Sequence, residues 1–256
     1  MKSIYLAILM LCAAISFAAE VKPGVSDSKS GSFTFTPVQN PKDLAPIRYV
    51  PEKTIILTDT KDLSDWDNGE GAPISGWEIK NGVIRRIGGK EDLFYKGNYD
   101  NFVLEFEFQV SKEGNSGVFY YAWCSKKKAR GFEYQIIDDI HRRVHPDFER
   151  FATAGLYTLY HRYYDAGPMN LKGYNKAKIV VLGNHIEHWL NGKLAVSVQT
   201  GTQNWKDHVA KSRLSEYPEF GKMKSGRIAF QNHDHEVFFR NVRLTSYRKE
   251  SSEIGK

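Results

Sequence analysis

Glu133 and Gln135 stand two residues apart in the run GFEYQIIDD at 131–139. In a strand, alternate side chains share a face, so Glu133, Gln135 and Ile137 point one way and Phe132, Tyr134 and Ile136 the other. An aromatic face suits a core. A carboxylate beside an amide on the second face could instead hold hydroxyl groups or move a proton. Further along, Gln231 and His233 share a face opposite Ile228 and Phe230, and His188 lies opposite Glu187 and Trp189. Carboxylate, amide, imidazole and aromatic ring together are the groups that bind sugar hydroxyls and stack on sugar faces. Taken singly, each of these residues is better explained by a solvated strand face, and it is the mixture of types that points to a sugar site.

Other chemistries find less support. Glu133, Asp138, His145 and His233 are of metal-binding types, but no HExxH or CxxC spacing groups them. The chain has no GxSxG nucleophile elbow, no phosphate-binding loop, no GxGxxG and no calcium-binding loop. Its formal charge of +6 comes from 36 basic and 30 acidic residues, interleaved along the chain. The dense basic runs, Lys126-Lys127-Lys128 and Arg142-Arg143, are short. That distribution describes a solvated surface and no nucleic-acid partner.

The elements that must position these groups read as strands. The composition is 41% hydrophobic and 13% aromatic, which supplies a β-rich core. From residue 54 onward, short alternating runs follow one another with turn residues between them. The clearest is FVLEFEFQV at 102–110, with Phe102, Leu104, Phe106 and Phe108 on one face and Glu105, Glu107 and Gln109 on the other. Asn81-Gly82, Gly183-Asn184 and Asn191-Gly192 have the composition of two-residue hairpin turns. About ten strands without crossover helices predict an all-β fold, an antiparallel jelly-roll sandwich.

The ends read differently. Residues 1–18 have one Lys, an apolar run and small residues near Ala18, the layout of a secretory signal peptide. The run is short for a membrane span, so no transmembrane span is expected after cleavage, and a secreted or periplasmic protein is. Removal of Cys12 with the signal would leave Cys124 alone, so no intramolecular disulfide could form. Residues 19–50, rich in polar residues, Pro, Gly and Ser, read as a flexible linker or tether. The folded domain is expected over 51–248 and a short tail over 249–256.

Several stretches, in order, resemble a known family. They are EGNSGVF at 113–119, FEYQIID at 132–138, AGLY at 154–157, NHIEHWLNG at 184–192, GRIAFQNH at 226–233 and FRNVR at 239–243. The resemblance, over roughly residues 54–247, is to the 3-keto-disaccharide hydrolase family of bacterial proteins. It implies a concanavalin A-like jelly roll and a glycoside already oxidised to a ketone at C3. The ketone acidifies the hydrogen on C2, so a base can remove it and the C1 oxygen can leave, with water added later. The resemblance implies Glu133 as base and His233, alone or through a divalent metal held with Glu133 or Asp138, as stabiliser of the enediolate oxygen. Gln135, Tyr157, Asn115, His188 and Gln231 are the expected substrate contacts. A separate sugar oxidoreductase could supply the 3-keto glycoside or disaccharide. A non-catalytic, lectin-like carbohydrate-binding module is the alternative on the same fold, and an envelope protein that binds another protein is a third. Where the family pattern has Asp and Gly, this chain has Asn232 and Asp234.

Overall fold

A computed structural model describes residues 24–35, 47–142, 151–163 and 166–250. Their strands form two antiparallel sheets. The ten-stranded sheet runs β1 (Val25–Ser26), β2 (Phe33–Phe35), β3 (Ile47–Ile56), β16 (Val237–Lys249), β8 (Phe102–Val110), β12 (Asn175–Leu182), β13 (His185–Leu190) and β14 (Lys193–Gln199). The hairpin of β5 (Trp77–Lys80) and β6 (Val83–Arg86) joins it through β16. The six-stranded sheet has the order β11 (Leu156–Tyr157), β10 (Lys128–Ile137), β9 (Asn115–Ser125), β15 (Arg227–Phe230), β7 (Leu93–Tyr95) and β4 (Trp66–Asp67). This is the all-β, antiparallel jelly-roll sandwich that the alternating runs predict, of the concanavalin A-like kind that the resemblance implies.

The core lies between the sheets. Phe102, Leu104, Phe106 and Phe108 of β8 are buried there, facing Tyr120, Phe132 and Tyr134 of the other sheet. Phe106 and Tyr134 meet edge to face at 5.6 Å between centroids, as do Tyr120 and Phe132 at 5.7 Å. The second face of the six-stranded sheet therefore belongs to Glu133 and Gln135.

Two of the expected hairpins carry left-handed backbone at both central residues. Asn81 and Gly82 have φ of 53° and 72°, and Asn191 and Gly192 have 50° and 83°. The same conformation appears where composition does not announce it. Lys126 and Lys127 (φ 53° and 60°) make the tight turn between β9 and β10. The basic run is a hairpin tip.

The expected linker is corrected in its described parts. Residues 25–26 and 33–35 form β1 and β2, and β3 starts at Ile47, so segments inside 19–50 belong to the ten-stranded sheet. Phe33 and Tyr49 pack with Val103, Val180, Leu182 and Tyr247 on that sheet's outer face. Beneath them the buried Glu187 carboxylate accepts from Gly24 N (2.5 Å) and Trp189 Nε1 (2.7 Å) and contacts His185 Nε2 at 2.7 Å. The Ser- and Gly-rich composition hid a few large side chains with a surface to cover. The stretch that reads as a signal peptide and most of the expected tail lie outside the described residues. Among the described residues no helix is long and apolar enough to cross a membrane.

Helix α1 (Asp139–Arg142) follows β10, and α2 (Gln203–Lys211) closes one end of the sandwich. Thr202 caps α2, its Oγ1 accepting from Trp205 N at 2.9 Å. Trp205 anchors the helix between Phe132 and Tyr160, with rings at 5.2 and 6.0 Å.

Candidate functional site

The site is built on three neighbouring strands, β10, β9 and β15. Glu133 pairs with Phe119 and Gln135 with Gly117 across β10 and β9. Ala229 of β15 pairs with Phe119, and Gln231 N donates to Gly117 O at 2.9 Å. Alternation then puts Glu133, Gln135, Gly117, Phe119, Ala229 and Gln231 on one face. On its other edge β10 meets β11, where Tyr157 stands opposite Glu133.

Gly117 is where sequence and site meet. A Cβ at this position would collide with Oε1 of Glu133 and sit 3.0 Å from its Cγ and Cδ. The carboxyl therefore lies over a gap that only glycine leaves open, flanked by Gln135 on one strand and Gln231 on the other. With its amide nitrogen turned toward the carboxyl, Gln135 donates to Glu133 Oε1 (3.2 Å) and to Ser116 O (3.3 Å). The Oε1 of Gln231 is buried and has no hydrogen-bond partner. A buried acceptor without a donor costs about 1–3 kcal/mol, which a ligand hydroxyl would recover.

Depth increases from rim to floor. His233 is exposed, Asn115, Tyr157 and Gln231 are half-buried, and Glu133 and Gln135 are 4% exposed. One side of the face is covered by the β9–β10 hairpin, which carries a bulge between Arg130 and Phe132. Beyond the bulge Ala122, Cys124 and Ala129 pack onto Phe94, Phe119 and Ala229. Asp92 fixes this cover. Its carboxylate accepts from Ala129 N (2.7 Å), Asn232 N (2.8 Å) and Lys128 Nζ (3.2 Å).

These surroundings set the protonation of Glu133. Burial pushes its carboxyl well above the ordinary carboxylate range, the negative charge of Asp92 adds to the rise, and Arg130 opposes it. Burial also raises Asp92, against the backbone donors and Lys128 that favour its charged form. Such a carboxyl holds its proton to higher pH than an ordinary carboxylate and is a stronger base once ionised.

Several expected contacts fall elsewhere. His188 lies in the core between the sheets, fully buried, with Nε2 at 2.9 Å from Tyr120 Oη and Nδ1 at 3.1 Å from Ala154 O. Burial lowers its pKa to about 4, so it is a neutral packing residue and no substrate contact. Asn115, which a turn would also explain, is instead the first residue of β9; the turn precedes it at Glu113 (φ 59°), with Gly114 N bonded to Ser111 O. The Asn115 side chain stays on the Gln135 side, 3.5 Å from that amide.

The metal candidates do not converge. Asp138 is buried at the start of α1, where its carboxylate accepts from the backbone N–H groups of Glu113, Ile140 and His141. Burial works against its charge, but these donors outweigh it and hold the carboxyl below its ordinary range. His233 stands at the exposed rim with its ring 6.2 Å from that of His235. Among the described residues no group of three or more His, Cys, Asp or Glu side chains is arranged to hold a metal ion. His145 lies outside the described residues. Glu133, Asp138 and His233 thus do not fit a shared ion.

Asn232 and Asp234 have a local explanation. The Arg86 guanidinium donates to Asn232 Oδ1 at 2.6 Å and to Asp234 Oδ1 at 3.2 Å, while Asp234 holds φ at 63°. Gln231 falls on the site as the resemblance implies, whereas Asp92 carries no signal in the sequence. Asp92 lies outside any quoted motif, and its neighbour Asn232 is distant in sequence.

The fold and site define a jelly-roll sandwich with a buried acid on one sheet face. Residues 53–245 match the family described as 3-keto-alpha-glucoside-1,2-lyase-like domain, and the chain belongs to that family. It is 31% identical over 230 residues to a 3-keto-disaccharide hydrolase of Bacteroides thetaiotaomicron, covering 74% of this chain and 77% of that protein. A candidate glycosyl hydrolase of Parabacteroides distasonis superposes with a TM-score of 0.67 at 27% identity, over 75% of this chain and 93% of its own. A second from the same organism shares the fold at a TM-score of 0.55 and 19% identity, over 76% and 100% of the two chains.

Proposed function

We propose that the protein is a carbohydrate-active hydrolase that cleaves 3-keto-glycosides, with Glu133 as the proton-transferring group. Family membership and the Bacteroides relative support the substrate class. The observation that carries the reading is the Glu133 carboxyl, buried over Gly117 between two amides and pushed well above the ordinary carboxylate range.

Ionised Glu133 takes the hydrogen from C2, and that C–H pair becomes the C2–C3 double bond while the ketone oxygen takes the negative charge. Return of that charge to the ketone shifts the double bond to C1–C2 and breaks the C1–O bond. The leaving oxygen receives a proton, for which protonated Glu133 is the available donor. Water then adds across C1–C2, and the sum is hydrolysis. Gln135 orients Glu133 and the sugar, Gln231 Oε1 accepts from a hydroxyl, and Asn115 and Tyr157 contact the sugar from the rim. His233 is positioned at the mouth to meet the oxyanion or the leaving group.

The lectin-like alternative calls for exposed aromatic platforms on this face. Of the aromatic residues there, Phe94 and Phe119 are buried and Tyr157 is half-buried at the rim, so among the described residues this face carries no exposed aromatic platform. Among the described residues the large exposed apolar side chains are the scattered Ile56, Ile87 and Ile140, which make no docking patch for the envelope-protein reading. The signal-like N-terminus supports a secreted or periplasmic location, where a separate oxidoreductase would supply the ketone.

The test is turnover of a chromogenic 3-keto-glucoside by the wild type and by Glu133→Gln, with and without chelator. Release of chromophore by the wild type and its loss in the variant is the expected result. A wild type that binds the sugar and never turns it over would establish the lectin reading instead.

A further inference from the structure

A cavity of about 510 Å³ opens between α2 and residues 212–224. That volume lies within the range of small-molecule sites. Its walls are apolar: Val209, Tyr217 and Pro218 show surface to it, above Trp205 and Phe220, which are buried beneath. Three cations, Lys206, Lys222 and Lys224, line it, and no carboxylate does. Among the described residues none of the three is in an ion pair, and the polar contact of Lys224 is to a neutral amide, Asn184 Oδ1 at 2.8 Å.

The cavity is separate from the Glu133 face. At the β9–β10 tip Ala122, Cys124 and Ala129 turn toward the Glu133 side, so their neighbours Trp123 and Arg130 turn to the other. Tyr217 meets these two from that far side, its ring 5.9 Å from Trp123 and its hydroxyl 3.3 Å from Arg130 Nε. The walls are also fixed in place. Trp205 Nε1 donates to Gly221 O at 3.1 Å, tying α2 to the facing segment.

We propose that this cavity is a second binding site, for a small amphipathic organic anion whose aromatic or fused-ring body packs against Val209, Tyr217 and Pro218 and whose acidic group meets the three lysines. Apolar burial supplies affinity, and the unpaired cations select an anion over its neutral counterpart.

The experiment is a fluorescence titration with 8-anilinonaphthalene-1-sulfonate, alongside uncharged 1-anilinonaphthalene. Saturable 1:1 binding of the sulfonate is expected, at least tenfold tighter than that of the neutral compound. Ala210→Trp, at an exposed position lining the mouth, should abolish it, and Lys222→Gln with Lys224→Gln should weaken it about tenfold, the effect of about 1.4 kcal/mol. Glu133→Gln should leave it unchanged. Equal affinity for the two compounds, or a sulfonate signal that survives Ala210→Trp in a protein of unaltered thermal stability, would overturn the proposal.

Discussion

Gly117 lies beneath the carboxyl of Glu133, in space that any side chain would take from Oε1. A small residue on one strand thus sets where the acid of the next strand can be. Gly117→Ala should displace the carboxyl and reduce kcat/KM at least 10²-fold, since misplacement of about 1 Å costs that much in a positioned site. Steady-state kinetics on a 3-keto-glucoside check this. Activity within tenfold of the wild type would remove the role assigned to Gly117.

Glu133→Gln keeps the shape of the side chain and removes its charge. Activity should fall about 10²–10⁴-fold, the usual share of a positioned base. Stability should move the other way. A carboxyl with a raised folded-state pKa favours folding below the unfolded value and loses that contribution as pH rises through the folded one. The variant escapes that loss, so its Tm should exceed the wild type's at pH 8 and converge with it at pH 4.

The same rise predicts the pH profile of the reaction. Because the base must be ionised to act, kcat/KM should climb with pH along a limb lying above the ordinary carboxylate range. Replacing Asp92 with Asn should move that limb to lower pH, since its charge adds to the rise. An unmoved limb in a folded variant would assign it to another group.

His188 makes a separate prediction about acid. Its pKa falls from 6.5 to about 4 on folding, so the unfolded chain binds its proton first. Stability contributed above pH 6.5 should be lost as pH falls toward 4, by about 3 kcal/mol at 1.36 kcal/mol per unit. Denaturant melts at several pH values measure it. His188→Leu should be less stable at pH 7 by about 1–3 kcal/mol, because Tyr120 Oη and Ala154 O lose their partner. It should also lose much of the acid slope.

The N-terminal strands should matter for stability and not for turnover. Phe33→Ala removes a ring 6% exposed and should cost about 3–5 kcal/mol, with kcat/KM unchanged. Urea melts of the two proteins decide it. A cost under 1 kcal/mol would return this segment to a loosely held linker.

Much of the fold was legible because alternation is a local property. Phe102, Leu104, Phe106 and Phe108 declare a buried face within nine residues, and Asn-Gly pairs declare their turns. The strands that alternation does not announce, such as β2 and β7, are three residues long and gain their place from partners far along the chain. The hairpin tip at Lys126-Lys127 was missed because its backbone is imposed by the pairing on either side.

Within the site, sequence by itself determined that Glu133 and Gln135 share a face and that Phe132 and Tyr134 oppose them, because strand geometry leaves no other choice. It could not decide which face is covered, and cover sets the protonation of an acid. Only the tertiary structure placed His188 in the core and Asp138 among backbone donors, and left Gln231 Oε1 buried without a partner. Period follows from bonds along the chain, whereas burial, pKa and convergence depend on residues that pairing brings together from far apart.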